Sequence, residues 1–200
     1  MSKPHPARHG GLPHQVRIIG GQWRRTLLPV ADRPGLRPTP DRVRETLFNW
    51  LGQDLHGWRC VDAFAGSGAL GLEAASRGAA EVLLVEQDAA LARQLQALKD
   101  RLQAQTVTVR RGDGVSALAA CAAGSVDLVL LDPPFDAQAL FAPALAAAAR
   151  ALRADGFVYL EAPVAWDAAA LAEVGLAPHR HLKAGAVHAH LLVPLRAACA

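Results

Sequence analysis

The sequence predicts an α/β fold: a Rossmann-like, seven-stranded, mostly parallel sheet with a small N-terminal extension. Three observations carry this. From residue 59 onward, short Val- and Leu-rich runs alternate with longer segments of helical periodicity. The first run ends in a glycine-rich turn, Asp62-Ala63-Phe64-Ala65-Gly66-Ser67-Gly68-Ala69-Leu70-Gly71, that leads into a helix. Residues 1–58 also differ in charge, holding nine Lys and Arg against four acids, whereas the remaining 142 residues hold twelve against fourteen. Repeated strand–helix units bury a mainly parallel sheet between helix layers.

Taken in order, residues 1–15 are rich in Pro, His and Gly and are expected to form a disordered tail. Stretches 16–19 and 23–30 flank Gly20-Gly21 and read as two short strands around a turn. Residues 32–40 include Pro34, Pro38 and Pro40 and read as an extended loop. Thr39 can cap the helix that follows, with Pro40 at its first position. Val43, Leu47, Trp50 and Leu51 make that helix's buried stripe. Residues 16–58 thus form a basic hairpin and helix, and 59–196 the main domain.

In that domain, strands are expected at 59–63, 81–85, 107–110, 126–131, 156–161, 177–183 and 187–195. Helices are expected at 69–77, 88–103, 115–122, 139–152 and 166–174. The last two strands follow one another directly and can pair antiparallel through Ala184-Gly185.

Composition narrows the class. With 200 residues and 52% apolar side chains, the chain fits one full-sized domain and a small appendage. Cys60, Cys121 and Cys199 match no zinc or disulfide pattern, which points to a reducing compartment. No signal-peptide core and no apolar run of about 20 residues is present, so a cytoplasmic protein, acting as a monomer, is expected. The basic head on a slightly acidic body points to an anionic partner.

The glycine turn satisfies G-x-G-x-x-G, and Glu86 follows Gly66 by twenty residues, so a nicotinamide dehydrogenase has to be weighed. Charge argues against it. A pyrophosphate needs N–H donors and no carboxylate nearby, yet Asp62 enters the same turn. A carboxylate there suits a cationic ligand with an ammonium and a sulfonium, S-adenosylmethionine. Phe64, Gly66 and Gly68 belong to this cofactor loop, where glycines let backbone approach the ligand. Glu86 can accept the ribose hydroxyls, and Asp113 the adenine amino group. All three acids lie at carboxyl ends of strands, where open α/β sheets bind ligands.

Asp132-Pro133-Pro134-Phe135 follows the apolar strand 126–131. Two prolines stiffen the loop and remove two N–H donors, so it presents acceptors. An exocyclic base amine is flat and weakly nucleophilic. Asp132 and the Pro133 carbonyl can take its two hydrogens and aim its lone pair at a methyl group. Phe135 can stack on a base that has left its helix. Alone the motif is weak; three strands after the glycine turn it is a strong sign of amino methyl transfer.

In Arg37-Pro38-Thr39-Pro40-Asp41-Arg42-Val43-Arg44, Thr39 and Arg42 are candidates for the cofactor, Arg42 for its methionine carboxylate. Arg37 and Arg44, with Arg17, Arg24 and Arg25, are candidates for phosphate contacts with the anionic partner. His179, His181, His188 and His190 form two H-x-H pairs, but no Cys or carboxylate stands at ligand spacing, so no metal is expected.

Four stretches together resemble the bacterial 16S rRNA (guanine-N(2)-)-methyltransferases of the RsmD family: RIIGGQWR (17–24), GLRPTPDRVRETLFNWL (35–51), FAGSGALGLEAASRGA (64–79) and VDLVLLDPPF (126–135), with KAGAV (183–187) in support. The likeness runs over about residues 15–195. It implies the class I methyltransferase fold, S-adenosylmethionine as donor, and the 2-amino group of a guanine of 16S rRNA as acceptor, within a small-subunit particle. It also implies that the extension at 16–58 contacts RNA or the ribosome, with Arg17, Arg24, Arg25, Arg37 and Arg44 as its RNA-binding candidates. It departs at Arg25-Thr26-Leu27, where the family continues with Gly, Arg and Lys, so the RNA contacts of that hairpin differ here. Competing readings are a DNA adenine or cytosine amino methyltransferase, for which the chain has little room for a target-recognition insertion, and a non-catalytic assembly factor that retains the fold.

Overall fold

The computed structural model describes residues 15–30 and 39–195. Most of the tail expected over 1–15, most of the loop over 32–40, and Arg37 with it, lie outside the described residues. In chain order the elements are β1 (Gln15–Arg17), β2 (Leu27–Pro29), α1 (Asp41–Trp50), β3 (Arg59–Asp62), α2 (Ala69–Ser76), β4 (Glu81–Glu86), α3 (Ala89–Leu102), β5 (Val107–Arg111) and α4 (Gly114–Ala120). There follow β6 (Val126–Leu131), a 3-10 turn (Gln138–Leu140), α5 (Phe141–Ala151), β7 (Leu152–Ala162), α6 (Ala168–Glu173), β8 (Leu176–Ala184) and β9 (Val187–Pro194).

The main sheet has seven strands in the order β5-β4-β3-β6-β7-β9-β8. Only β9 runs antiparallel to its neighbours. The order steps outward from β3 to β5, then returns past β3 to β6. That reversal leaves a crevice at the carboxyl ends of β3 and β6. One face of the sheet packs on α1, α2 and α3 through Val43, Leu47, Phe48, Leu72, Leu95 and Leu98. The other packs on α4, α5 and α6 through Leu118, Leu145, Ala148 and Leu171. Along β7, Val158 and Leu160 face the second core while Tyr159 faces the first, as the two-residue period of a strand requires.

Most boundaries fall within two residues of the sequence reading, and two differ by four. The strand expected over 156–161 begins at Leu152, because Val126 pairs with Leu152 before a register shift restores pairing at Leu128 and Phe157. The strand expected over 23–30 loses its first half. Arg25 N–H bonds Ile18 O at 2.8 Å and Thr26 N–H bonds Trp23 O at 3.0 Å, which holds these residues in a turn.

That turn is docked on α2. Ile19 and Gly20 N–H donate to the two carboxylate oxygens of Glu73, each at 2.7 Å. Gln22 N–H bonds Ser76 O at 2.8 Å, and Trp23 N–H bonds Ser76 Oγ at 2.9 Å. Gly21 has φ +73°, and a Cβ there would collide with the Ser76 carbonyl. The RIIGGQWR stretch therefore fastens the extension to the main domain.

Arg44 corrects an expectation. It is fully buried, so no RNA phosphate reaches it. Its guanidinium bonds Asp41 at 2.7 Å, Arg17 O at 2.9 Å, Thr39 O at 3.3 Å and Glu73 at 3.4 Å. Arg77 pairs with Glu73 at 2.8 Å from the other side and stacks over Phe48. Buried charges persist where they are paired and hydrogen-bonded, and this network locks α1, α2 and β1 together.

Candidate active site

Four acids stand at the carboxyl ends of neighbouring strands: Glu86 on β4, Asp62 on β3, Asp132 directly after β6, and Glu161 near the end of β7. All four line one cavity of about 1040 Å³. Small-molecule sites usually span about 300–1,000 Å³, so this one has room for a nucleoside cofactor and a base. The strand order divides it. Glu86, Asp88, Leu91 and Gly112 line the part over β4 and β5, while Thr39, Pro40, the 132–135 loop, Glu161 and Val187 line the part over β6, β7 and β9. Asp62 lies between. A smaller hollow of about 410 Å³, lined by Arg59, Cys60, Glu81 and Cys121 among others, belongs to the opposite end of the strands and gathers no comparable set of acids.

Asp62 is buried, and its Oδ2 accepts from Gly71 N–H at 2.9 Å. No side chain fits at Gly71, where a Cβ would collide with Leu84 and press on Asp62. Asp62 Oδ1 is buried with no hydrogen-bond partner among the described residues. Burial, with Glu86 adding to it, pushes this carboxyl up to about 7, against the pull of the Gly71 N–H and, more weakly, the Phe64 N–H. An orphaned carboxylate oxygen in a cavity wall is a site for a donor or a cation, which fits the ammonium and sulfonium of S-adenosylmethionine.

Glu86 holds the glycine turn in place. Its Oε2 accepts from Gly66 N–H at 2.9 Å and its Oε1 from Asp88 N–H at 2.8 Å, tying the glycine turn to the end of β4. A carboxylate has about four acceptor positions, so ribose hydroxyls can still be received. Phe64 and Gly66 line the cavity. Gly68 does not; it holds φ +80° as the cap of α2. Asp113 stands exposed between the lining residues Gly112 and Gly114 and caps α4 by accepting from Ser116 N–H at 2.7 Å. Arg42 is exposed on α1 and outside the lining, whereas Thr39, three residues earlier, lies within it.

Asp132, Pro133, Pro134 and Phe135 all line the cavity. The Pro134 carbonyl accepts from Ala137 N–H at 2.9 Å, which fixes the loop. Burial, the nearby Glu161 and then Asp62 hold the Asp132 carboxyl well above the usual carboxylate range.

Glu161 was not among the residues expected here. It is buried and its Oε1 accepts from Tyr159 Oη–H at 2.8 Å. Burial raises its proton affinity, while Thr39, Tyr159 and Arg44 oppose this. The signal was present: an acid closing an apolar strand, next to the strand that carries the D-P-P-F loop.

Of the basic residues, Arg24 and Arg25 are exposed, and Arg17 is exposed but paired with Asp41 at 2.8 Å. His181 Nε2 lies 3.0 Å from His188 Nδ1, and His190 Nε2 accepts from Trp166 N–H at 3.1 Å. No cluster among the described residues is arranged to hold a metal ion. No helix among them is long and apolar enough to cross a membrane.

A family model described as conserved hypothetical protein 95 matches residues 16–193. The chain belongs to this family. Over 135 residues it is 50% identical to the ribosomal RNA small subunit methyltransferase D of Escherichia coli (strain K12), covering 68% of this chain and 66% of that relative. Over 127 residues it is 44% identical to the protein of the same name from Haemophilus influenzae, covering 60% of this chain and 64% of the relative. The aligned stretch thus spans a little under two thirds of each relative. Among solved structures, a putative methyltransferase from Escherichia coli is 38% identical with TM-score 0.76, covering 90% of this chain and 98% of that one. A putative methylase from Haemophilus influenzae is 31% identical with TM-score 0.74, covering 91% and 99%. The family's class I methyltransferase fold is the fold of this chain.

Proposed function

We propose that this chain transfers a methyl group from S-adenosylmethionine to the exocyclic 2-amino group of a guanine in 16S ribosomal RNA. The observation that carries the reading is the pairing, in one cavity, of an orphaned buried carboxylate at Asp62 with the acceptor loop Asp132–Phe135. The relatives' shared name, ribosomal RNA small subunit methyltransferase D, supports RNA as the acceptor.

Asp62 would hold the cationic end of the cofactor, Glu86 its ribose, and Phe64 with Gly66 the loop against it. S-adenosylmethionine supplies an electrophilic methyl group on a sulfonium. The chain's own residues prepare the amine. Asp132 accepts one N–H, and the Pro133 carbonyl accepts the other, since that of Pro134 is engaged by Ala137. Both bonds draw the nitrogen toward tetrahedral geometry and stabilise the positive charge that develops on it. Asp132, with its raised proton affinity, receives the proton that the nitrogen sheds. Phe135 stacks on the base, which has to leave its helix to enter.

In this reading Arg24 and Arg25, exposed on the docked extension, meet phosphates, and the protein acts as a cytoplasmic monomer on an assembled small-subunit particle. Mass-spectrometric mapping of rRNA from cells lacking this protein tests the reading. One methylguanine should be missing and return with the wild-type chain. An unchanged methylation pattern would refute it.

A further inference from the structure

The acceptor end of the cavity holds one acid that methyl transfer, as set out above, does not use. Glu161 lies beside Asp132: Leu131 pairs with Leu160 across the parallel ladder of β6 and β7, so the residues that follow, Asp132 and Glu161, are neighbours at the strand ends. Both line the cavity. A buried carboxylate costs several kcal/mol in lost hydration unless something offsets it. The Tyr159 and Thr39 hydroxyls offset part of that cost. The buried cation nearest in the network, Arg44, is already paired with Asp41 and Glu73. Instead Glu161 is aimed, with Tyr159 Oη–H fixing one oxygen at 2.8 Å.

In their ionised forms, two carboxylates side by side present acceptors only. Guanine is the base whose pairing edge offers two adjacent donors, N1–H and the 2-amino group. Adenine and cytosine place a ring-nitrogen acceptor next to their amine, which would meet a carboxylate with repulsion. We propose that Glu161 is a specificity-determining residue that accepts the N1–H of the target guanine while Asp132 accepts from its 2-amino group. This rests on the functional reading above and names the part of the site that selects the base. The Tyr159 and Thr39 hydroxyls and the Arg44 charge oppose the rise in proton affinity that burial gives Glu161, and Tyr159 Oη–H fixes its orientation.

2-Aminopurine provides the test, because it keeps the 2-amino group and has a bare acceptor at N1. Once the target guanosine is mapped, small-subunit particles are reassembled with spliced RNA that carries either guanosine or 2-aminopurine riboside at that position. For the wild type, kcat/KM should favour guanosine by at least about 10-fold, the scale of one matched base-edge contact. In Glu161→Gln the amide can donate to N1, so that preference should shrink by about 10-fold or reverse. Tyr159→Phe keeps the ring and removes the bond that orients Glu161, and should shrink the preference by less. A residue of merely structural importance would lower both rates together, so an unchanged ratio in both variants overturns the assignment. Failure of the wild type to methylate the guanosine particle would instead overturn the functional reading, and this inference with it.

Discussion

Asp62→Asn should make the protein more stable and the cofactor site weaker. The Asn side-chain oxygen can keep the 2.9 Å bond from Gly71 N–H, so geometry is preserved and only charge is lost. Burial raises the Asp62 carboxyl from 3.8 to about 7 in the folded chain. A raised acid binds its proton more tightly when folded, so ionising it opposes folding. The penalty is absent below about pH 4, grows between pH 4 and 7, and is complete above pH 7. At 1.36 kcal/mol per pH unit its full size is about 4 kcal/mol. The new amide N–H costs about 1–3 kcal/mol if it finds no partner, but that cost does not vary with pH. Urea denaturation of both proteins from pH 4 to 8 should therefore show the variant gaining on the wild type by up to about 4 kcal/mol across that range. Calorimetry at pH 8 should show S-adenosylmethionine binding weakened about 10- to 150-fold, the worth of a hydrogen bond to a charged group. A stability difference that stays flat with pH, together with unchanged affinity, would refute the assignment of Asp62.

Further outcomes follow from the same geometry. In the wild type, affinity for the cationic cofactor should rise about tenfold per pH unit up to about pH 7 and then level off, as calorimetry across pH would show, because the ligand binds the ionised form of Asp62. Asp132→Ala should lower methyl transfer by at least about 10²-fold while S-adenosylhomocysteine binding changes little, measured by single-turnover kinetics beside calorimetry. Arg44→Met should cost about 3–5 kcal/mol in urea denaturation, since it leaves the buried Glu73 with one of its two cations. Arg24→Glu with Arg25→Glu should weaken particle binding and flatten its salt dependence, read by filter binding, without altering cofactor affinity.

Much of the fold was legible because the main domain follows strong rules. Apolar runs and amphipathic helices alternate, and the acids Asp62, Glu86 and Asp132 announce themselves by standing where apolar strands stop. Boundaries went astray where tertiary contacts decide conformation. Trp23 reads as a strand residue by side chain, but its N–H is claimed by Ser76 fifty-three positions away. Arg44 reads as an RNA contact only while Glu73 is overlooked. Glu73 is a lone acid in a helix that is otherwise apolar or small, and such a residue calls for a buried cation. Asp113 and Gly68 also cap helices, a local role that motif spacing does not encode. Glu161 required knowing that β7 lies beside β6, so that two strand ends place two carboxyls at one spot.

The most direct test of the central claim is methyl transfer itself. Purified protein is mixed with methyl-labelled S-adenosylmethionine and small-subunit particles from cells that lack it, and the digested RNA is resolved by nucleoside. The proposed function predicts label in N2-methylguanosine alone, at about one per particle, and the site built from Asp62 and the Asp132–Phe135 loop predicts almost none with Asp132→Ala. Label on another base, or equal labelling by the Asp132 variant, would contradict it.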